Sequence, residues 1–334
     1  MSKFDVEMTA HQIGWRAKQG HDPELGWQNG RQYEHLLPRS AWKKSLWPPI
    51  AEGLASHLES AKIQAHSGTH NLKSSWVLCA NLYYPFGLGS AGRGLLADFL
   101  RAYLDPSIET VDEVHLEYAE AGKLSPATLL GELGGSRGTG QTSPDLGIIA
   151  NCGRALLLIE NKFTEHSYYA CSARNVRAGS SRSPNPDITR CHRPAALIDG
   201  HADLCHQASW GRHYWYILGP IADREKIAEL SCCPAALAGY QLFRQQALAE
   251  GIAQYGEYDL VVSAVAFDDR NVGLARSLRS TGLDDLSSWG ELFHGKARFG
   301  CFTHQKWVDW VRTHDAEGLW TDWLAYVCAR YQFG

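Results

Sequence analysis

Residues 141–164 constrain the fold more than any other part of the chain. Within them, residues 155–159 form a short apolar run bounded by turn residues, which is typical of a strand buried on both faces. The charged residues Glu160 and Lys162 follow this run directly. Because burying a charge is costly unless the group is paired or holds a metal, the pattern predicts a buried strand whose charged end has a partner.

The register of a hairpin in this stretch follows from its turn. If Cys152 and Gly153 are the central turn residues, counting outwards places Asp145 opposite Glu160. Directly opposed residues in an antiparallel pair project from the same face, with Cβ atoms about 5 Å apart. Side chains alternate along a strand, so Lys162 shares that face. The sequence therefore predicts two converging carboxylates and an amine, and a divalent cation with oxygen ligands, Mg²⁺ or Mn²⁺, would relieve the carboxylate repulsion.

At these residues the chain resembles the PD-(D/E)XK nuclease superfamily, which has the restriction-endonuclease-like fold. Pro144-Asp145 matches the first half of its motif, and Glu160-Asn161-Lys162 matches the second half. The resemblance implies that Asp145 and Glu160 bind Mg²⁺ or Mn²⁺ together with the backbone carbonyl of Asn161. It also implies that Lys162 is the catalytic lysine, and that the reaction is hydrolysis of phosphodiester bonds in nucleic acid, with DNA as the expected substrate.

The order of predicted elements from about residue 81 to residue 270 is similar to that fold as well. We therefore expect an α/β protein with a mixed central β-sheet flanked by helices and an irregular insertion rich in Cys and Arg. The core is expected at residues 76–272, with the insertion at about 167–220. A helical and loop region at 1–75 should pack on this core, and a helical, tryptophan-rich extension should occupy 273–334.

Local patterns predict further elements of the core. Residues 260–267 form a second continuous apolar run, which predicts a strand beside residues 155–159 that is reached by a right-handed crossover. Residues 129–133 predict another strand. Asp268, at the end of the second apolar run, is expected in a solvated turn.

Three further polar residues are candidates for supporting the site. Glu132 precedes the glycine-rich loop 134–140, and it is either a third acidic ligand or a solvated carboxylate. Gln241 and Arg244 lie with Gln245 on one polar face of a predicted helix. In the superfamily that the chain resembles, a helix after the catalytic strand often supplies a Gln or an Arg to the site. A solvated helix face is the alternative.

Arginines dominate the loop that follows the predicted active-site strand, although the whole chain has a net charge of −4. Contacts from Arg and Lys to phosphates dominate nucleic-acid affinity, so these arginines are predicted to contact DNA. A solvated loop whose arginines pair with acids elsewhere is the alternative. The glycine-rich loop is either a flexible connector or a further phosphate contact through its backbone amides and its arginine. The predicted nucleic-acid-binding residues are Arg174, Arg177, Arg182 and Arg190 in the insertion, and Arg137 in the glycine-rich loop.

Nine cysteines at irregular spacing, without an apolar signal segment, indicate reduced thiols in a cytoplasmic protein. Three of them fall in the insertion, where a bound metal could order a region that has little periodicity. A structural Zn²⁺ is then favoured over an iron–sulfur cluster, and separately buried thiols are the alternative. The candidate ligands are Cys171, Cys191 and Cys205, with one of His206, Cys232 or Cys233 as the fourth.

Two function classes besides a nuclease remain open from the sequence. One is a nucleic-acid-binding module in which the fold no longer cleaves, although the intact motif argues against it. The other is an interaction domain built around a cysteine-held metal. Glu160 and Lys162 could also form a simple ion pair at a strand end. No run of about 18 apolar residues occurs, so no membrane partner is expected, and the oligomeric state is open, with a homodimer as one option.

Overall fold

The structure is a computed structural model that describes residues 2–20, 24–60, 67–135, 140–174 and 182–334. These residues form a two-stranded hairpin near the N-terminus and a five-stranded sheet. Helices cover both faces of the larger sheet. The chain is therefore an α/β protein with a mixed sheet flanked by helices, as expected for a restriction-endonuclease-like fold.

The N-terminal region packs on the core through a helix that the sequence pattern did not reveal. Helix α1 (Lys3–Lys18) buries Phe4 and Trp15 on one face. Gln12 shares that face, and its Nε2 donates to the carbonyl of Arg330 at 2.6 Å. This buried polar residue interrupts the apolar period of a core-facing helix, so the sequence pattern did not predict a helix of this length. The region continues with β1 (Gly26–Gln28), β2 (Arg31–Tyr33) and α2 (Pro48–Ser60).

The remaining elements follow the expected order of the core and add short helices in the insertion. The core begins with α3 (Ser75–Gly87), α4 (Ser90–Tyr103), β3 (Val111–Leu116), α5 (Pro126–Leu130), β4 (Leu146–Ala150) and β5 (Ala155–Lys162). Next come α6 (Pro194–Ile198), α7 (His206–Ser209), α8 (Tyr214–Leu218), α9 (Arg224–Glu229), α10 (Tyr240–Tyr255) and β6 (Leu260–Phe267). The chain ends with α11 (Gly273–Arg279), α12 (Leu286–Gly290), β7 (Arg298–Thr303), α13 (His304–His314) and α14 (Thr321–Tyr331). None of the described helices is long and apolar enough to cross a membrane.

The five strands lie in the order β3-β4-β5-β6-β7. The first three pair antiparallel, and β5, β6 and β7 pair in parallel. The parallel pairing of β6 with β5 confirms the strand predicted over residues 260–267. Because β5 is central, its backbone is paired on both sides, and all eight of its residues are buried.

The hairpin of β4 and β5 has the register that its turn predicts. Leu146 pairs with Ile159, and Ala150 pairs with Ala155. Both central turn residues have positive φ angles, 56° at Cys152 and 81° at Gly153, as in a type I′ turn. Continuing the pairing by one residue beyond Leu146 and Ile159 places residue 145 opposite residue 160.

Side chains of β5 alternate between two cores. Leu157 and Ile159 belong to the core that includes residues of α1 to α4, α13 and α14. Leu156 and Leu158 belong to the second core, which includes residues of α8, α10 and the insertion. Since residues of the same parity share a face, Glu160 and Lys162 continue on the α10 side of the sheet.

The strand predicted over residues 129–133 is wrong, because these residues belong partly to the short helix α5. The Ser125 side chain accepts a hydrogen bond from the N–H of Thr128 at 3.2 Å, which caps the helix. Pro126 occupies the first turn, and Gly131 ends the helix with a φ of 66°. The capping residues therefore favour a helix here over the strand that the apolar residues predict.

The C-terminal extension is not only helical, which corrects the prediction for residues 273–334. Strand β7 adds a fifth strand at the edge of the sheet, beside β6. Among its residues only Phe302 is buried, so the strand has little apolar pattern for the sequence to reveal.

Asp268 does not lie in a solvated turn, because its side chain is buried. Its carboxylate accepts hydrogen bonds from Arg270 Nε at 2.8 Å and from Gln305 Nε2 at 2.9 Å. At the end of β6, Asp268 therefore forms an ion pair with Arg270, and its hydrogen bond with Gln305 links the sheet to α13.

The hairpin turn offers a test of the fold. Cys152 is exposed and has a left-handed backbone, which a residue other than Gly, Asn or Asp adopts at a cost. We expect Cys152→Asn to create the Asn-Gly pair that type I′ turns prefer and to raise the free energy of unfolding by about 0.5–1 kcal/mol. Urea denaturation measures this change. Cys152→Val is the opposite control and should destabilise the protein, and equal stability of the two variants would contradict the assigned turn.

Candidate active site

Three charged side chains meet at one end of the β4–β5 hairpin. Asp145 directly precedes β4, and Glu160 and Lys162 are the sixth and eighth residues of β5. The side chains of Glu160 and Lys162 are 8 % and 3 % exposed. Asp145 is only partly buried.

Lys162 and Glu160 form a buried ion pair in which Gln241 takes part. The distance from Lys162 Nζ to Glu160 Oε1 is 2.8 Å. Gln241, from the first turn of α10, accepts from Lys162 Nζ through Oε1 at 2.9 Å. Its Nε2 donates to Glu160 Oε1 at 2.7 Å. Gln241 therefore bridges both charged groups and fixes their orientation, instead of facing solvent.

The site holds more negative than positive charge. Burial raises the pKa of Asp145 well above its usual value, and the charge of Glu160 raises it further, while Lys162 acts in the opposite direction. Burial alone would lower the pKa of Lys162, but Glu160, Glu165 and Asp145 outweigh it, and the pKa lies above its usual value. Lys162 is therefore an ammonium ion at neutral pH, and one ammonium does not balance the surrounding carboxylates.

Asn161 connects the two strands at this point. Its backbone N–H donates to Asp145 Oδ2 at 2.8 Å. Its side chain turns to the other face, where Nδ2 donates to the carbonyl of Ser75 at 2.7 Å. The charged end of β5 is thus anchored to α3 on one side and to α10 on the other.

The donor set fits a hard divalent cation. Two carboxylates, Asp145 and Glu160, and the carbonyl of Asn161 offer the oxygen ligands that Mg²⁺ prefers, and Mg²⁺ needs only one or two carboxylates because it keeps several waters. Across the part of the chain that the structure describes, no group of three His, Cys, Asp or Glu side chains is arranged to hold a metal ion. A cation here would therefore rely on these two carboxylates with backbone, water and substrate oxygens.

Glu132 and Arg244, both predicted to support the site, contact each other. Glu132 is fully buried, and its Oε1 accepts from Arg244 Nε at 3.0 Å and from Tyr214 Oη at 2.7 Å. Thr142 Oγ1 donates to the same oxygen at 2.7 Å. Burial acts to raise the pKa of Glu132, but Arg244 and the hydrogen bonds hold it below its usual value. Glu132 is therefore not the solvated carboxylate of the alternative interpretation, and its ion pair joins α10 to the segment before β4.

The predicted nucleic-acid-binding arginines differ in their surroundings. Arg137 and Arg177 lie outside the described residues. Arg182 is exposed, with its guanidinium 5.0 Å from the Trp210 ring, and the partly exposed Arg190 lies 3.6 Å from Asp187. Arg174 is partly buried instead, and its Nη1 is buried without a hydrogen-bond partner among the described residues.

The insertion cysteines come together away from the hairpin. Cys171, Cys191 and Cys205 line one cavity with Cys233 and His206, whereas Cys232 does not. All nine cysteines of the chain are free thiols.

Three residues near the site were missed from the sequence. Glu117, which follows β3, is buried, and its charge adds to those that raise the pKa of Asp145 after burial and Glu160. His304 Nε2 lies 3.1 Å from the Lys162 carbonyl. Tyr169 is 53 % exposed, with its ring 5.6 Å from Lys162 Nζ. Glu117 could have been found from the pairing of β3 with β4, but the other two are brought here only by tertiary packing.

Comparison with known families adds one finding. A family model described as "Restriction Endonuclease associating with ARP" matches residues 7–332, which is almost the whole chain. Searches of curated proteins and of solved structures found no match.

The charge excess predicts an unusual effect of Asp145→Asn on stability. The pKa of Asp145 is raised in the folded state, so its stabilising contribution is present when the carboxyl is protonated and is lost as pH rises through the folded pKa. At neutral pH, in chelator, we expect Asp145→Asn to raise the free energy of unfolding by about 1 kcal/mol. Denaturation at several pH values measures it. The difference should vanish in acid, and a less stable variant at neutral pH would contradict the charge excess.

Proposed function

This chain belongs to the family described as restriction endonucleases associating with ARP, and we propose that it is a metal-dependent nuclease of the PD-(D/E)XK type with DNA as its substrate. The observation that carries this proposal is the convergence of Asp145, Glu160 and Lys162 at the end of a buried strand. A structural ion pair would need one carboxylate for one ammonium, whereas this site has a surplus of carboxylates. Such a surplus is what a cation-binding site requires.

Asp145, Glu160 and the carbonyl of Asn161 would hold the cation, with Mg²⁺ or Mn²⁺ as the expected ions. When bound, the cation would lower the pKa of a water molecule and offset negative charge on the scissile phosphate. The N–H of Asn161 holds Asp145 Oδ2 in position, so the two strands present their oxygens as one unit.

The charge state of Lys162 favours one of the roles open to it. A lysine that takes a proton from water must first be neutral, and the pKa of Lys162 lies above its usual value. The ammonium can instead orient a water molecule or stabilise negative charge that develops on the phosphate. We therefore propose that Lys162 acts as a fixed positive charge.

Gln241 is a positioning residue in this proposal. It does not carry charge, but it holds both Lys162 Nζ and Glu160 Oε1 within hydrogen-bond distance. Without it, the lysine could turn towards other acceptors and away from the reacting phosphate.

The surface around the site offers a path for nucleic acid. Tyr169, exposed beside Lys162, could stack on a base. A groove of about 560 Å³ is bordered by Tyr168, the neighbour of Tyr169, and by the exposed Arg276 and Arg279 of α11. These two arginines add to those of the insertion, and we propose that both sets contact phosphates.

The first test of this function is cleavage of plasmid and single-stranded DNA with Mg²⁺, with Mn²⁺ and with chelator. We expect Asp145→Asn, Glu160→Gln and Lys162→Ala each to reduce the rate by roughly 10²-fold or more, since each removes a charge aimed at the reaction centre. Asp322→Asn, which removes an exposed acid of α14, is the matched control and should cleave normally. Cleavage that is unaffected by chelator or by Lys162→Ala would refute the mechanism.

The positioning role of Gln241 has its own test. We expect Gln241→Ala to lower the cleavage rate by about 10–100-fold while leaving DNA affinity nearly unchanged. Gln241→Glu should restore the bond to Lys162 but repel Glu160, so it should not rescue activity. Gln254→Ala, at an exposed position of the same helix, is the control. A loss of affinity equal to the loss of rate would assign Gln241 to substrate binding instead.

The arginine surface is tested by the salt dependence of DNA binding. Replacing Arg182 and Arg190 with alanine should weaken binding to all sequences alike and flatten the salt dependence by about one unit of slope per lost phosphate contact. The same double change at Arg31 and Arg312, two exposed arginines outside the insertion, should leave the slope unaltered. Equal salt slopes in both double variants would show that Arg182 and Arg190 make no phosphate contact.

A further inference from the structure

The irregular insertion encloses a cavity of about 30 Å³ that is lined by four cysteines. Cys171 follows the active-site strand, Cys191 and Cys205 lie in the middle of the insertion, and Cys233 precedes α10. The other walls are mainly apolar and aromatic and include Trp215. Thiols that are far apart in the sequence thus face one space, which separately buried cysteines would not need to do.

Backbone contacts fix these thiols in place. The N–H of Cys233 donates to the carbonyl of Cys191 at 2.6 Å, and the N–H of Cys171 donates to the carbonyl of Ala236 at 3.2 Å. Gln207 Nε2 lies 3.3 Å from Cys171 Sγ. The cavity therefore depends on a defined arrangement of three chain segments and not on apolar packing alone.

Arg174 places a positive charge beside the thiols. Its backbone N–H donates to the carbonyl of Cys171 at 3.0 Å, so its side chain begins next to the cavity wall. Its buried Nη1 has no hydrogen-bond partner among the described residues. An anionic centre in the cavity would offset this charge, and buried groups without partners are rare in proteins.

The arrangement of the cysteines favours a cluster over a single ion. A tetrahedral zinc site with Zn–S bonds of about 2.3 Å brings its sulfurs within about 4 Å of one another. No three His, Cys, Asp or Glu side chains in the described ranges are arranged to hold one ion in this way. An iron–sulfur cluster separates its cysteine ligands further, because they bind more than one iron atom. The cavity is also larger than the roughly 10–15 Å³ that one water molecule needs.

We propose that Cys171, Cys191, Cys205 and Cys233 hold an iron–sulfur cluster that orders the insertion. The cluster supplies four ligand bonds to a region whose described helices, such as α6 and α7, are only four or five residues long. A metal centre can provide folding free energy directly where a regular core is lacking.

The cluster would also support the active site from a distance. Residues just before Cys171 pair with the start of α10: Gln241 N–H donates to the carbonyl of Tyr168 at 2.9 Å, and Tyr240 N–H donates to that of Tyr169 at 3.0 Å. Cys171 and Cys233 therefore both lie at the end of this segment pair that is away from Gln241. Loss of the cluster should loosen Gln241 without removing any residue that touches the cation.

The test is metal analysis of the full chain, produced with an iron supply and purified without oxygen and without chelator. We expect iron and acid-labile sulfide in equal amounts, about two or four of each per chain, with visible absorption from thiolate-to-iron charge transfer. Each of Cys171→Ser, Cys191→Ser, Cys205→Ser and Cys233→Ser should lose most of the iron and lower the Tm. Cys232→Ser, at a buried cysteine next to Cys233 that does not line the cavity, is the matched control and should keep both.

Metal analysis of the wild-type protein tests the proposed cluster even if a variant fails to fold. Stoichiometric zinc without sulfide would replace the cluster with a zinc site. A folded protein that holds no iron, even after reconstitution with Fe²⁺ and sulfide, would refute the cluster. Equal iron in Cys171→Ser and Cys232→Ser would remove Cys171 from the ligand set. Chelator-dependent cleavage of DNA is measured separately, so failure of the cluster and failure of the nuclease are distinguishable.

Discussion

The rest of the structure depends on how β5 ends. Residues 155–159 are paired on both sides, and residues 160–162 continue along β6 and are buried, so these last three residues do not reach solvent. Glu160 and Lys162 must therefore find partners inside the protein, and they find each other and Gln241. Asp145 joins them because the hairpin register allows no other position. The result is a buried set of charges with a carboxylate in excess, which is unfavourable for the isolated chain and suited to a cation.

Helix α10 provides partners for buried polar groups through a row of polar side chains that face the protein interior. Gln241 contacts the ion pair, and Arg244 contacts the buried Glu132. Gln245 Nε2 donates to the backbone carbonyls of Leu158 at 3.0 Å and Ala264 at 2.9 Å, on the two central strands. A helix on a sheet usually packs apolar residues there, so these side chains lose solvation that their hydrogen bonds to the protein offset. The helix is thereby held in one position relative to the strands, which is the precision that a catalytic site needs.

The insertion is tied to the same helix. The segment from Tyr168 to Cys171 pairs with residues 236–241 through backbone hydrogen bonds, so the start of α10 has a partner on the insertion side. The cysteine cavity lies at the far end of this pairing, and Tyr169 lies at the site end. The order of the insertion and the orientation of Gln241 consequently depend on the same backbone hydrogen bonds. This explains how a region without regular periodicity can be important for a site formed by two regular strands.

The sequence by itself determined the hairpin, its register and the face shared by Asp145, Glu160 and Lys162, because the turn and the two-residue period of a strand are local properties. It also determined the neighbouring strand β6, whose apolar run is continuous. Only the tertiary structure decided the rest: the buried helix α1 with Gln12 on its core face, the edge strand β7, the pairing of Glu132 with Arg244, and the approach of Tyr169 and His304 to the site. These features depend on which distant segments meet, and a polar residue that finds its partner hundreds of positions away has the same local pattern as one that faces water.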